Sequence, residues 1–444
     1  MFGKVLIANR GEIALRVIRS CQERGLRTVA VHSEIDAEAL HTRLADEAVC
    51  IGPADPRRSY LHIPAIIAAA EITGADAVHP GYGFLSENPE FAETCEQCDL
   101  TFIGPTPEQM RQWGDKVRSR ALAKSLGLPI LEGTDIASSV DDAVAKASAL
   151  GFPVLLKASG GGGGRGMHVL EDENAVREVF ETAAAEARAA FGNDALYFEK
   201  FIERPRHIEF QILGDTHGNI HVLGERECSI QRRHQKIIEE SPSSVVSEEL
   251  RQDMSATIVR AMTQTGYVSA GTLEFLMDES GELTFLEMNP RIQVEHPVTE
   301  LVMGMDLVSE QIRIAEGSAI ELPSQSLSPR GHAIECRINA EDPETFAPWP
   351  GLITEFHMPG GAGVRVDSGV YGGWRVPPHY DPLIAKLIVH GPTRAHAISK
   401  MRRSLAETLV GGIRTNIPLH RRVLEHPAFE QGKTSTRFLD DLLQ

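Results

Sequence analysis

Residues 271–297, GTLEFLMDESGELTFLEMNPRIQVEHP, are the stretch from which the rest of the chain can be interpreted. Two short apolar runs, 271–277 and 283–288, are separated by Asp-Glu-Ser-Gly, a sequence typical of a turn. Apolar runs of this length on either side of a turn predict a β-hairpin. The polar residues that interrupt the runs are therefore expected on two neighbouring strands.

Two carboxylates and one amide interrupt this hairpin. Glu274 lies on the first strand and Glu287 on the second, with Asn289 two positions further on. Side chains two apart on a strand share a face, and pairing of the strands brings them close together. Carboxylates at close range repel unless a cation lies between them. Oxygen ligands of this kind suit Mg²⁺ or Mn²⁺, which are usually shared with substrate phosphates, so the hairpin predicts a metal-and-phosphate site.

Three further polar residues follow the hairpin at alternate positions in a predicted irregular loop. They are a cation, an amide and an anion: Arg291, Gln293 and Glu295. An edge hairpin with solvated charges is the alternative interpretation. The concentration of different donors and acceptors directly beside the paired carboxylates favours a ligand site.

Length and charge limit the classes of function. A chain of 444 residues predicts two to four domains. The 44 basic and 62 acidic side chains give a net charge of −18, which disfavours an extended nucleic-acid or membrane surface. No apolar stretch reaches the roughly 18 residues of a membrane span, and the first residues lead directly into an apolar strand with no signal peptide. We therefore expect a cytoplasmic protein.

The first part of the chain alternates apolar strands with amphipathic helices. Strands are predicted near 3–8, 28–32, 48–51, 76–79 and 100–103, and such alternation favours a doubly wound parallel sheet. The sequence NRGEIA stands after the first strand where a dinucleotide site would need GxGxxG. We therefore predict no dinucleotide site. The segment 80–88, PGYGFLSEN, is either a ligand-contacting loop or a simple glycine turn.

The next part carries a glycine-rich loop. One helix is predicted over 107–126, followed by a small α+β module from about 129 to 203. Within it, SGGGGGRG at 159–166 joins two apolar strands, so it is predicted to be a hairpin loop. Five consecutive glycines can place backbone N–H groups against phosphate oxygens without Cβ clashes. A flexible lid without a ligand is the alternative.

The remainder is predicted to be rich in β-structure. Strands are expected at 207–214, 220–225, 229–233, 332–338, 364–366 and 384–389, and helices at 248–265, 304–316 and around 398–409. A basic run, RRHQK at 232–236, stands out in this acidic chain. Residues 322–329 are predicted to be a polar connector.

The lysines Lys116 and Lys157, the glycine loop and the acidic hairpin together resemble the ATP-grasp fold. Seven motifs then narrow the resemblance to biotin carboxylase: NRGEIA, HPGYGFLSEN, KASGGGGGRGM, RRHQK, EMNPRIQVEHPVTE, ECRINAEDP and HYDPLIAKL. The resemblance implies a Rossmann-like pre-ATP-grasp domain (1–114), an ATP-grasp domain (115–329, lid about 129–203) and a biotin carboxylase C-terminal domain (330–444). The free-standing subunit of acetyl-CoA carboxylase is the most similar type. No biotin-accepting Met-Lys-Met is present, so biotin is expected on another polypeptide.

The resemblance also implies a nucleotide site. ATP phosphates would lie against Lys116 and Lys157 under Gly163 and Gly164. The other nucleotide contacts would be Met167, the hinge Glu199, Lys200, Phe201 and Ile202, and His207, Gln231, His234 and Leu276. Two Mg²⁺ or Mn²⁺ ions would be bound by Glu274, Glu287 and Asn289.

The remaining implied roles concern bicarbonate and biotin. Bicarbonate would be bound by Lys236, Arg291, Gln293 and the Val294 backbone, with Glu295 as general base. Attack on ATP would give carboxyphosphate, which yields CO₂ and phosphate. Arg337 would stabilise the biotin enolate, and Tyr82 and Gly83 would line the biotin side.

The implied partners are a biotin carboxyl carrier protein, carboxyltransferase subunits and a second copy in a homodimer, in a pathway that supplies malonyl-CoA for fatty acid synthesis. One alternative keeps the same half-reaction in a two-subunit pyruvate or propionyl-CoA carboxylase. Another ATP-grasp carboxylate–amine ligase and a non-catalytic assembly protein are remoter alternatives.

Overall fold

A parallel five-stranded sheet forms the first layer of the computed structural model, which describes residues 1–159, 167–322 and 328–443, without the side chains of Val117 and Phe191. Its elements are β1 Lys4–Ile7, α1 Gly11–Glu23, β2 Arg27–Ser33, α2 Leu40–Leu44, β3 Glu47–Gly52, α3 Ile63–Thr73, β4 Ala77–His79, α4 Pro89–Gln97 and β5 Thr101–Phe102. The strand order is β3-β2-β1-β4-β5 and all pairs are parallel. Alternate residues of β1 pack into two different cores, one on each face of the sheet. The predicted doubly wound sheet is confirmed.

The single helix predicted over 107–126 is wrong, because two helices occupy this stretch. They are α5 Pro107–Gly114 and α6 Lys116–Ser125. Asp115 between them has an extended backbone, and its carboxylate accepts the Arg118 N–H, which caps a new helix. The break places Lys116 in the first turn of α6.

The small α+β module has a three-stranded antiparallel sheet in the order β7-β6-β8. Its elements are α7 Val140–Leu150, β6 Val154–Ala158, β7 Met167–Leu170, α8 Glu173–Phe191 and β8 Leu196–Lys200. The predicted strands and the long helix are confirmed, whereas α7 was not predicted. Residues 160–166, which include Gly163 and Gly164, lie outside the described residues. The pairing of β6 with β7 nevertheless confirms that the glycine run joins two antiparallel strands.

The central part supplies five strands of a larger sheet. Its elements are β9 Arg206–Gly214, β10 Ile220–Arg232, β11 Gln235–Ser241, α9 Glu248–Thr265, β12 Ser269–Met277, β13 Leu283–Asn289, α10 His296–Met303 and α11 Leu307–Ala315. The two strands predicted at 220–225 and 229–233 are one strand, β10, whose register shifts at bulges. The basic run lies in a tight hairpin to β11, with Arg233 and His234 both at positive φ. β11 and α10 were not predicted.

The C-terminal part extends the same sheet. Its elements are β14 His332–Asn339, β15 Gly351–Leu352, β16 Glu355–His357, β17 Val364–Ser368, β18 Arg375–Val376, β19 Leu383–Gly391, α12 Arg394–Glu407, β20 Leu409–Gly411, α13 Ile417–Glu425, α14 Pro427–Glu430 and α15 Phe438–Leu443. The helix predicted around 398–409 ends earlier, because Leu409 belongs to β20. Of the predicted connector, residues 323–327 lie outside the described residues.

The large sheet has the strand order β13-β12-β9-β10-β11-β14-β19-β17. Pairing of β11 with β14 joins residues from the central and C-terminal parts in one continuous ladder. Ionisable residues stand opposite each other on three strand pairs: Glu209 and Arg226, Glu239 and Glu335, Arg337 and Lys386. Directly opposed residues share a face, so the sheet carries several buried pairs of ionisable residues. Among the described residues, no helix is both long and apolar enough to cross a bilayer.

Candidate active site

The ammonium of Lys236 is the centre of a cluster of buried carboxylates. Its Nζ donates to Glu209, lies 2.8 Å from Oε1 of Glu274 and lies 2.7 Å from Oε1 of Glu295. Burial alone would lower the pKa of Lys236, but the three carboxylates raise it well above its usual range. Lys236 therefore stays charged and holds carboxylates from three separate segments together.

Glu295 lies between two cations. Its Oε1 accepts from Lys236, and its Oε2 accepts from Nη2 of Arg337 at 2.9 Å. Burial acts to raise the pKa of Glu295, but the neighbouring charges, Lys236 foremost, outweigh it and lower the pKa. The result is an ionised, buried carboxylate with a positive group on each oxygen. Such a group can take a proton from a small acid whose anion the same cations bind.

Arg337 is oriented by two carboxylates. Its Nε donates to Oε1 of Glu239 at 2.5 Å, and its other arm reaches Glu295. Burial raises the pKa of Glu239 to about 7 despite the opposing effect of Arg337. The carboxylates in turn raise the pKa of Arg337, so the guanidinium is a fixed cation at the edge of the cluster.

The predicted hairpin is confirmed, and Glu274 stands directly opposite Glu287. The buried Glu274 accepts from Asn289 Nδ2 at 2.9 Å and Gln293 Nε2 at 2.7 Å, besides Lys236. Glu287 is partly exposed and pairs with the ammonium of Lys116 at 2.9 Å. Two carboxylates and an amide oxygen on one face are hard donors, so these residues fit a divalent cation of the Mg²⁺ type.

His207 also contacts the buried hairpin carboxylate. Its Nε2 lies 3.0 Å from Oε2 of Glu274 and 3.6 Å from Oε2 of Glu209. Burial acts to lower the pKa of His207, but Glu274 outweighs it and raises the pKa to about 9. His207 is therefore an additional cation of the site at neutral pH.

We expect this histidine to give the nucleotide-free protein a stability that falls with rising pH. A folded pKa of about 9 lies above the ordinary value near 6.5, so the stabilisation is complete below about pH 6.5 and is lost as the pH approaches 9. The loss is on the order of 3 kcal/mol. Urea midpoints of the wild type and His207→Gln at pH 6.5, 7.5 and 9 measure it. Equal pH slopes in the two proteins would contradict the prediction.

The lid module brings further cations together. Lys157 Nζ lies 2.5 Å from Oε2 of Glu199, and Arg120 pairs with the other oxygen of that carboxylate. Burial, together with the positive charges of Arg120 and Lys116, lowers the pKa of Lys157 to about 8. Lys157 and Arg120 share Glu199, and the nearby Lys116 pairs with Glu287. Three cations against two carboxylates leave an excess of positive charge, which favours the binding of a polyanion such as a polyphosphate.

Two of the other predicted nucleotide residues stand opposite residues of the site on neighbouring strands. Met167 pairs with Lys157 in the β6–β7 register, and Leu276 pairs with His207 in the β9–β12 register. Gln231 Nε2 lies 3.5 Å from Nδ1 of His207. Residues further from the centre are Lys200, Phe201 and Ile202 at the end of β8, and His234 in the exposed β10–β11 turn.

The loop between β13 and α10 is held at three points. Arg291 lies 3.2 Å from Glu87, a residue of the 80–88 segment, and donates to Asn289 at 2.9 Å. Gln293 donates to Glu274 and accepts from Arg226 at 3.0 Å, which fixes the orientation of its amide. Beyond Gln293, the Val294 carbonyl accepts from Lys386 at 2.9 Å.

Tyr82 and Gly83 are the candidate residues from the N-terminal sheet. The Tyr82 hydroxyl donates to Glu12 of α1, and Gly83 is exposed beside it. Glu87 from the same loop reaches Arg291, so the structure brings the 80–88 segment to the charged site.

Several residues of the site were missed by the sequence analysis: Glu12, Arg120, Glu209, Arg226, Glu239 and Lys386. Arg226 is fully buried and binds Glu209, Gln211, Gln293 and two threonines. One signal was available in β9, where His207, Glu209 and Gln211 alternate with apolar residues. That alternation predicts a polar face, whereas the partners of the other missed residues come from distant segments.

Family models match three consecutive parts of the chain. Residues 1–110 match "Biotin carboxylase, N-terminal domain", and residues 335–441 match "Biotin carboxylase C-terminal domain". Residues 115–323 match "Carbamoyl-phosphate synthase L chain, ATP binding domain".

Two relatives and one solved structure match this chain over nearly its full length. A biotin carboxylase from Haemophilus influenzae is 55% identical, covering 100% of this chain and 99% of that protein. A pyruvate carboxylase subunit from Methanothermobacter thermautotrophicus is 51% identical, covering 99% of this chain and 90% of that protein. The biotin carboxylase domain dimer of Hydrogenobacter thermophilus 2-oxoglutarate carboxylase, solved with MgADP, ADP and bicarbonate, is 47% identical. It superposes with a TM-score of 0.93 and covers 100% of this chain and 99% of that chain.

Proposed function

The chain belongs to the biotin carboxylase family, and we propose on this premise that it carboxylates biotin on a carrier protein with ATP and bicarbonate. The observation that carries the proposal is the buried Glu295 carboxylate between Lys236 and Arg337. Activation of bicarbonate needs a base beside cations that hold an oxyanion, and this arrangement offers both.

In the first step, bicarbonate binds to Lys236, Arg291, the Gln293 amide and the Val294 N–H. Glu295 removes its proton, and the resulting oxyanion attacks the γ-phosphorus of ATP. A new P–O bond to the carbonate oxygen forms as the bond to ADP breaks, which gives carboxyphosphate.

The nucleotide phosphates would lie against Lys116 and Lys157. Burial foremost, and then the positive charges of Arg120 and Lys116, lower the pKa of Lys157 to about 8, and bound phosphates would oppose this lowering. Glu274, Glu287 and Asn289 would hold two divalent cations, Mg²⁺ or Mn²⁺. When bound, these ions offset the negative charge of the phosphates. The remaining nucleotide contacts are those that the family resemblance implies, including the glycine lid.

In the second step, carboxyphosphate breaks down to CO₂ and phosphate. The phosphate takes the proton from the ureido N1 of biotin, and N1 then attacks CO₂. The negative charge that develops on the ureido oxygen lies against Arg337, which stays protonated because of its carboxylate neighbours. Tyr82 and Gly83 line the biotin side.

The proposed assembly is a cytoplasmic homodimer that serves a biotin carboxyl carrier protein and carboxyltransferase subunits. We propose acetyl-CoA as the final acceptor, through a route to malonyl-CoA and fatty acids. The likeness to a pyruvate carboxylase subunit supports a second candidate, the same half-reaction in a two-subunit pyruvate or propionyl-CoA carboxylase. The proposed domain boundaries are 1–114, 115–329 and 330–444.

Release of ADP from Mg²⁺-ATP tests the half-reaction, with bicarbonate and free biotin omitted in turn. We expect release to require bicarbonate and to rise when biotin is added, because the second step consumes carboxyphosphate. Release that ignores biotin and follows another carboxylate or an amine would instead indicate a different ATP-grasp ligase. If biotin acts as expected, transfer from carboxylated carrier to acetyl-CoA, propionyl-CoA or pyruvate distinguishes the candidate acceptors.

A further inference from the structure

Lys386 is a fully buried lysine that the reaction described above does not use. It lies on β19, opposite Arg337 in the register, and its side chain has no exposed surface. Its Nζ donates to the Val294 carbonyl at 2.9 Å, pairs with Oε2 of Glu12 at 3.1 Å, and lies 3.8 Å from Oδ2 of Asp367. A buried ion pair seldom adds more stability than apolar residues of the same size would, so its placement calls for another reason.

One side of Lys386 faces the proposed base. The Val294 carbonyl and the Glu295 N–H belong to one planar peptide unit. The hydrogen bond from Lys386 to this carbonyl therefore fixes the orientation of the peptide that precedes the Cα of Glu295. The Val294 N–H is on the preceding peptide and is the backbone group proposed above to bind bicarbonate. A shift of Lys386 would therefore move both the anion contact and the base.

The other side faces the proposed biotin site. Glu12 accepts the Tyr82 hydroxyl on its Oε1 while its Oε2 pairs with Lys386. Burial, followed by the charge of Glu12, raises the pKa of Tyr82 well above its usual range, so the hydroxyl keeps the proton that it donates. One carboxylate thus joins the tyrosine to the lysine.

The backbone of the loop that carries Tyr82 is held by hydrogen bonds and close contacts, so we expect a displacement of Tyr82 to be passed on to its partners. Asn9 Nδ2 donates to the Pro80 carbonyl at 2.7 Å and the Tyr82 carbonyl at 2.8 Å. Gly81 has a φ of 63°, and a Cβ there would lie 3.0 Å from Ile13, so the turn admits little beside glycine. The loop cannot move without altering the Tyr82–Glu12 contact.

We infer that Tyr82, Glu12 and Lys386 form a positioning path by which biotin at Tyr82 sets the Val294–Glu295 peptide, so that biotin accelerates the bicarbonate-dependent step. The inference rests on the proposed function. Lys386 and Glu12 are positioning residues, because they act through the loop and do not touch the reacting atoms. The path predicts that its members influence how strongly biotin stimulates ADP release, which a merely structural role would not do.

The test is the stimulation ratio, meaning bicarbonate-dependent ADP release with free biotin divided by release without it. We expect Lys386→Met and Tyr82→Phe each to lower this ratio about 5-fold or more, the lower end of couplings between sites. The double variant should lower it little further, because both changes break one path. Tyr82→Phe keeps the ring and carries the test by itself if Lys386→Met fails to fold.

Asp367→Asn is the matched control. It removes a carboxylate that neighbours the same ammonium but lies off the path, so we expect the wild-type ratio. Wild-type ratios in Lys386→Met and Tyr82→Phe would overturn the inference, as would an equal loss in Asp367→Asn. A wild-type protein whose ADP release ignores biotin would instead overturn the proposed function.

Discussion

Replacing Glu295 with alanine is expected to lower bicarbonate-dependent ADP release by about 10²–10⁴-fold, the usual contribution of a general acid–base group. Both oxygens of this carboxylate are already oriented, one by Lys236 and one by Arg337. The variant loses the proton acceptor, while Lys236 and Arg291, the proposed cations of the bicarbonate site, remain. Initial-rate kinetics with saturating ATP and bicarbonate measure the change, and ATP binding by calorimetry should persist.

Glu225→Gln provides the matched control for that variant. Glu225 is also a buried glutamate of the large sheet and pairs with Arg251, away from Lys236. Its loss is expected to lower stability with little change in turnover. Glu295→Ala activity within twofold of the wild type would remove Glu295 from the mechanism.

Replacing Arg337 with alanine is expected to separate the two steps of the reaction. Carboxybiotin formation should fall by about 10²–10³-fold, as when one donor to a developing oxyanion is removed. Bicarbonate-dependent ADP release should fall much less, because Lys236 still contacts Glu295. Parallel measurement of ADP and of carboxylated free biotin gives the ratio of the two products.

Arg394→Ala is the matched control for Arg337→Ala. Arg394 pairs with Glu240, the residue next to Glu239 on β11, so each arginine binds one of two adjacent glutamates. Loss of Arg394 removes a comparable buried ion pair without touching Glu295. We expect its product ratio to match the wild type. A proportional fall of both products in Arg337→Ala would show that the enolate role is wrong.

The sequence predicted the local elements whose signals lie within a few residues. Apolar periodicity and turn residues predicted the hairpin around Glu274 and Glu287, the alternation of strands and helices in the first sheet, and the bounds of α9. Those signals failed where one residue changes the backbone. Asp115 begins a second helix within a stretch whose sequence predicts one continuous helix. The register of β10 shifts at bulges, and there the sequence predicts two strands where the structure has one.

The candidate site was only partly predictable for a related reason. Glu295, Arg337 and Lys236 occur in motifs that the family resemblance identifies, and the structure brings their charged ends into contact. Lys386 occurs in an apolar strand, where a single charged residue has no local sign of a partner. The alternation around Glu209 in β9 predicts a polar face but does not identify the residues that meet it. The importance of both residues appears only when strands far apart in the chain become neighbours.

What the sequence determined by itself is many of the longer elements, the family and the residues that carry charge. Turn preferences and side-chain periodicity arise from residues that are close together in the chain, so they can be recognised in the sequence without knowledge of the fold. The tertiary structure alone decided which charges meet: three carboxylates around Lys236, and Glu12, Val294 and Asp367 around Lys386. A buried charge is stable only with partners, and those partners are chosen by strand order and packing across the whole chain.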